Sequence, residues 1–158
     1  MQSATKWVIV VTAMLSGLAG CGGSAPAADR PACHRAVQEP LDPRSAQHVL
    51  TNGGVTYASN PPTSGPHRPG VVPKGIVTKP LPLAVQVGAL EAGDVLVQYK
   101  GAFPAELRNP GDKVVVAPNE TLSSRVVITA WRWKMTCNAP DRAALRVFVT
   151  HHAAKGPK

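Results

Sequence analysis

This chain is poor in aromatic residues, in acidic residues and in cysteine, and it has no apolar run as long as a bilayer-spanning helix. Aromatics make up 4% of it, so a core has to be built from aliphatic side chains, valine above all. Nine acidic residues stand against seventeen basic ones. That balance suits anionic surfaces such as phospholipid headgroups or wall polymers and says nothing about fold. Three cysteines exclude a disulfide-dense scaffold, and no Cys-x-x-Cys pair is present to build a compact zinc or redox motif. No organic cofactor motif occurs. Basic and aromatic residues are not interleaved as on a base-stacking surface, which argues against nucleic acid as a partner.

The longest apolar run, Trp7 to Leu18, is preceded by one charge, Lys6, and falls short of the roughly 20 residues a permanent span requires. It ends in Leu18-Ala19-Gly20-Cys21, small residues before a cysteine, which is what a processing peptidase reads. These four residues match the bacterial lipobox. Residues 1–20 therefore resemble a lipoprotein signal peptide, cleaved before Cys21, whose thiol is then acylated; the alternative is an ordinary secretory signal with an incidental cysteine. Two or more acyl chains are enough for stable anchoring where one is marginal. The expected location is a cell membrane, lipid-anchored, with the protein on the extracytoplasmic side. Residues 21–32 are small, polar and proline-containing and read as a flexible tether. Residues 33–158 remain, the size of one domain.

If Cys21 carries lipid, only Cys33 and Cys137 are left, near the two ends of that domain. In an oxidising exterior such a pair is expected to form a disulfide. A thiolate metal site is the competing reading, with no Cys-x-x-Cys spacing behind it.

Along the domain, Gln47–Leu50, Asn52-Gly53-Gly54 and Val55–Ala58 predict a short hairpin, with His48 in its first arm and Tyr57 in its second. Asn60-Pro61-Pro62-Thr63-Ser64-Gly65-Pro66-His67 follows. Its prolines fix φ, remove donors and push their predecessors to extended geometry, so the loop is stiff and holds Thr63, Ser64 and His67 at nearly set positions. Arg68 to Pro82 stays irregular. Leu83–Leu90 is ambiguous between strand and helix. Asp94–Tyr99 and Lys113–Ala117 read as strands, with one helical turn at Phe103–Leu107 between them. Ser124–Cys137 reads as one long strand whose first half is apolar on both faces, carrying Trp131 and Trp133 as packing residues. A last helix is expected from an Asn138 N-cap, with Ala144, Leu145, Phe148, Val149 and His152 as its buried stripe and Gly156-Pro157 as its end. The fold class is α+β: an antiparallel sheet of four to five strands with the C-terminal helix across one face.

The octapeptide Asn60–His67 resembles the signature of the bacterial family known as domain of unknown function 3105. His48 and Tyr57 ahead of it, Leu90-Glu91 and Gly93 before Val95–Tyr99, Thr129-Ala130-Trp131, and Cys137, Asp141, Phe148, His152 and Gly156-Pro157 are similar to the family's pattern. Members usually place histidines on both sides of the Leu-Glu pair, where this chain has Gly88 and Ala92. The resemblance implies no established activity.

Three functional classes follow. A hydrolase using Ser64 and His67 lacks a Gly-x-Ser-x-Gly elbow and would need Glu91 or Asp94 to arrive as its acid. A copper or zinc site can draw on His48, His67 and Glu91, with Met135 and His151-His152 as further donors. A non-catalytic binding or assembly module of the envelope would use the loop surface of Tyr57, Asn60, Thr63, Ser64, Gly65 and His67 toward a protein or an anionic surface. The discriminating feature is whether His48, His67 and Glu91 converge.

Overall fold

Val-Leu-Val-Gln-Tyr at Val95–Tyr99 is apolar on both sides of the pleat apart from one glutamine, and a strand of that kind needs cover on both faces. In a computed structural model, which describes residues 31–51, 53–70 and 72–157, it has that cover. The elements are β1 (Val37–Gln38), β2 (Gly75–Ile76), α1 (Leu83–Glu91), β3 (Val95–Tyr99), a 3-10 turn (Ala105–Leu107), β4 (Val114–Pro118), β5 (Val126–Ala130), β6 (Trp133–Cys137) and α2 (Arg142–His152). The described strands form one sheet in the order β1-β6-β5-β3-β4-β2. The pairs β3–β4 and β2–β4 are parallel and the remaining pairs antiparallel. The class is α+β as expected, but the sheet is mixed and has six strands rather than four or five antiparallel ones. The expected signal segment, Cys21 and the expected tether up to residue 30 lie outside the described residues, as does Asn52 of the expected hairpin turn.

Successive residues of β3 feed opposite layers. Val95, Val97 and Tyr99 join Val114, Val116, Ile128 and Met135 beneath Leu145 and Phe148 of α2. Leu96 joins Val115 and Ala117 beneath Val87 and Leu90 of α1. The ambiguous stretch at Leu83–Leu90 is therefore a helix, and it covers the second face of the sheet. Its residues Ala84 to Leu90 are all buried, so it has no polar face and no amphipathic period to read. On the same face, Gln98 sits in a relay of amides. Gln98 Nε2 donates to Gln86 Oε1 (3.0 Å) and Asn119 Nδ2 to Gln98 Oε1 (2.6 Å), which satisfies polar groups that would be costly to bury alone.

The expected single strand Ser124–Cys137 is a hairpin. Ala130 pairs with Trp133, leaving Trp131 and Arg132 as a two-residue turn, with Arg132 in the left-handed region at φ 64°. The turn lacks the Gly, Asn, Asp or Pro that normally marks one. A tertiary contact holds it: Arg132 N–H donates to Thr63 O at 2.9 Å. The reversal sends the two tryptophans to opposite layers, Trp131 toward α1 and Trp133 toward α2. The cap of α2 is Asp141, whose carboxylate accepts from Ala144 N–H at 2.9 Å, and not Asn138. The disulfide Cys33–Cys137 is present and ties the entry of the domain to the end of β6. Closing a loop of 104 residues is worth on the order of 4 kcal/mol in the chain-entropy account.

Candidate metal centre

The proline-rich loop is buried. Pro61 to His67 are all buried, and most of its side chains are engaged inside the protein. Asn60 Nδ2 donates to Thr121 Oγ1 (3.0 Å), Thr63 Oγ1 donates to Glu39 Oε2 (2.7 Å), and Ser64 Oγ accepts from Asp42 N–H (2.9 Å). Tyr57 lies over the loop and its hydroxyl donates to Pro66 O at 2.7 Å. A Cβ at Gly65, whose φ is +128°, would come within 3.0 Å of the Tyr57 ring and 3.2 Å of Asp42 Oδ2, so glycine is required there for both conformation and space. Burial raises the Tyr57 phenol above its ordinary pKa; Arg44 opposes the shift and Asp42 adds to it.

What the loop delivers is one imidazole. His67 is fully buried, with Nδ1 3.1 Å from Gly65 O. A carbonyl oxygen only accepts, so Nδ1 carries the hydrogen and Nε2 is the free ring nitrogen. Nε2 lies 2.7 Å from Glu91 Oε2, yet it makes no hydrogen bond and is an orphaned buried polar atom. His48 arrives through a parallel backbone bridge: His67 N–H donates to Gln47 O (3.0 Å) and Val49 N–H to His67 O (2.9 Å). The two rings meet edge to face at a centroid distance of 5.0 Å. Glu91 comes from the last residue of α1, at the end of the helix dipole that favours cations.

One donor atom each from His48, His67 and Glu91 lies within 4.8 Å of the other two. Donors on a tetrahedral zinc, bonded at about 2.0–2.1 Å, stand about 3.3 Å apart. The His67–Glu91 edge is already tighter than that, and His48, exposed at the surface, has room to close the rest. The predicted hairpin around His48 is absent: among the described residues of 47–58, His48 forms only the isolated bridge. It is this bridge that aligns the two imidazoles.

Residues 48–158 match the family model described as Protein of unknown function (DUF3105). The chain belongs to that family. No curated protein and no solved structure matches it. The matched stretch begins at His48 and so contains all three donors, while β1 and Cys33 precede it.

In this DUF3105 domain the position of Gly88 has a visible structural setting. A Cβ at Gly88 would stand 2.6 Å from Arg68 O, so α1 packs against the loop through a glycine and a larger residue would push them apart. Met135 lies in the α2-side core, and His152 packs on Trp133 and Phe148 with ring centroids 4.5 Å away; neither these nor His151 join the triad. Asp94 is fully buried and faces Lys74 (3.2 Å) and Lys113 (3.4 Å), so the acid is engaged with lysines rather than with His67. Sequence reasoning missed Glu39. Its Oε2 accepts from Ser59 (2.8 Å) and Thr63 (2.7 Å), and its Oε1 meets Lys134 Nζ at 2.7 Å. Burial pushes this carboxyl up, but the hydrogen bonds from Lys134, Thr63 and Ser59, with the lysine's charge, outweigh it and the net shift is downward. No motif marked Glu39, because its partners are scattered along the chain.

Proposed function

We propose that this protein is an exported, lipid-anchored binding module of the cell envelope whose domain holds one divalent transition-metal ion, zinc or copper, between His48, His67 and Glu91. The observation that carries the metal reading is the orphaned Nε2 of His67. A ring nitrogen with its lone pair 2.7 Å from a carboxylate oxygen is repulsive unless a cation lies between them, either a proton or a metal ion. A proton would need no second imidazole, and His48 supplies one within reach of the same point. Two nitrogens and one carboxylate oxygen suit zinc or copper better than magnesium or calcium, which take oxygen ligands. Hydrogen-bonding Nδ1 to a backbone carbonyl is how metal-bound histidines are commonly oriented.

The anchor reading rests on Leu18-Ala19-Gly20-Cys21, and the sixteen basic residues left against nine acidic ones after removal of Lys6 favour an anionic surface or an envelope partner. Binding without catalysis is the economical form of the proposal, since Ser64 is buried and engaged as an acceptor by Asp42.

Elemental analysis of protein purified without an affinity tag tests the metal directly. About one equivalent of zinc or copper is expected, falling sharply in His67→Ala and Glu91→Gln, with His48→Ala, which removes the exposed donor, also lowering metal affinity. Less than about a tenth of an equivalent, even after incubation with excess metal, would leave a protonated His67–Glu91 ion pair as the explanation and end the proposal.

A further inference from the structure

Resting on the metal reading above, we infer that the cleft beside Glu91 takes a small anionic ligand with a flat or apolar body, whose acidic group sits next to the metal ion. Three protein donors leave at least one coordination position for an outside ligand, the arrangement of open rather than closed zinc sites. His67 is fully buried and His48 does not line the cleft, so Glu91 is the triad residue through which an outside ligand in the cleft would reach the metal. Glu91 lines a cleft of about 690 Å³, a size typical of small-molecule sites.

The charges in this cleft select the sign of the ligand. Its acidic members are Asp42 and Glu91. Asp42 is neutralised by Arg44, which reaches it through Nε (3.1 Å), Nη2 (2.8 Å) and the backbone N–H (2.8 Å), and the Arg44 bond is the main reason its carboxyl is held below the usual range. Glu91 is neutralised by the metal. That leaves Arg132 and Lys155 as the charged lining residues not already neutralised. Arg132 uses Nε toward Glu39 O at 3.3 Å, which keeps its stem in place and leaves the fork of the guanidinium as donors suited to a carboxylate or phosphonate. Trp131 and Trp133 are also among the residues that line the cleft and give it apolar surface. None of these four residues belongs to the metal triad, so ligand and metal can be tested apart.

The experiment uses the purified full chain and phenylphosphonate as the probe, followed by tryptophan fluorescence and confirmed by equilibrium dialysis, with zinc content measured on every sample. The zinc-loaded protein should bind the probe at least about tenfold more tightly than the metal-free protein, a single charge contact being of that order. Arg132→Gln and Lys155→Gln should each weaken the probe by threefold or more while zinc stays at about one equivalent. Because Arg132 also holds the β5–β6 turn, Lys155→Gln serves as the variant free of folding effects. If zinc binds but the probe binds equally well without it, or is indifferent to Lys155→Gln, the ligand proposal fails and the metal site stands. If neither zinc nor copper binds, both fail.

Discussion

At the level of single residues, the charged groups of this protein divide into those that hold backbone and those that face a common point. Glu39 belongs to the first kind. Its lowered pKa means the folded state binds the proton less readily than the unfolded chain does. Its contribution to stability is therefore complete above the unfolded value and is lost as pH falls through the folded one. The groups facing it are Lys134, Ser59 and Thr63. Denaturation by urea should show a midpoint that declines from about pH 5 downward, and Glu39→Gln should flatten that decline. The same substitution should cost about 1–3 kcal/mol at neutral pH, because one carboxamide oxygen cannot serve the hydroxyls and Lys134 together. A wild-type midpoint that stays level down to pH 3 would contradict this role. His67 belongs to the second kind, since its backbone bonds are complete while its outer ring nitrogen is left without a hydrogen bond.

Among the elements, α1 decides the site. Its last residue is Glu91, and the segment after α2 braces that end: Ala154 N–H donates to Gly93 O at 2.7 Å, and a Cβ at Gly156 would clash with Glu91 O. Gly156→Ala should therefore shift the end of α1 and weaken metal binding by roughly tenfold, as loss of a supporting contact around a metal ligand does. Far-UV circular dichroism should be unchanged. The readout is competition against a chromophoric chelator; equal affinity in the two proteins would show that the C-terminal segment does not position Glu91. The α1 helix was also the least legible element in the sequence. An all-buried helix of nine residues and a buried strand both read as short apolar runs, and only packing separates them. The β5–β6 turn was hidden for a related reason, since its stabilising partner, Thr63, lies far away in the chain.

For the molecule as a whole, an acylated Cys21 would hold the domain at a membrane by a tether. Cys21→Ser should move the protein from the membrane pellet to the soluble or secreted fraction, and labelling with an alkyne palmitate analogue should disappear with it. Persistence in the pellet, with label retained, would rule out Cys21 as the anchor. Parts of the domain's plan were readable in sequence because they depend on local or compositional signals: the Cys33–Cys137 disulfide, the α+β class, and a proline-rich loop that can be neither helix nor central strand. Membership of DUF3105 was readable for the same reason, through one octapeptide. The tertiary structure alone decided that the loop is buried, that the sheet is mixed and covered on both faces, and that His48, His67 and Glu91 meet. No local preference brings those three together. His48 is aligned by a backbone bridge to the loop, and Glu91 is placed by an apolar helix seeking cover for the sheet, so their encounter is a product of long-range packing that spacing in the chain does not encode.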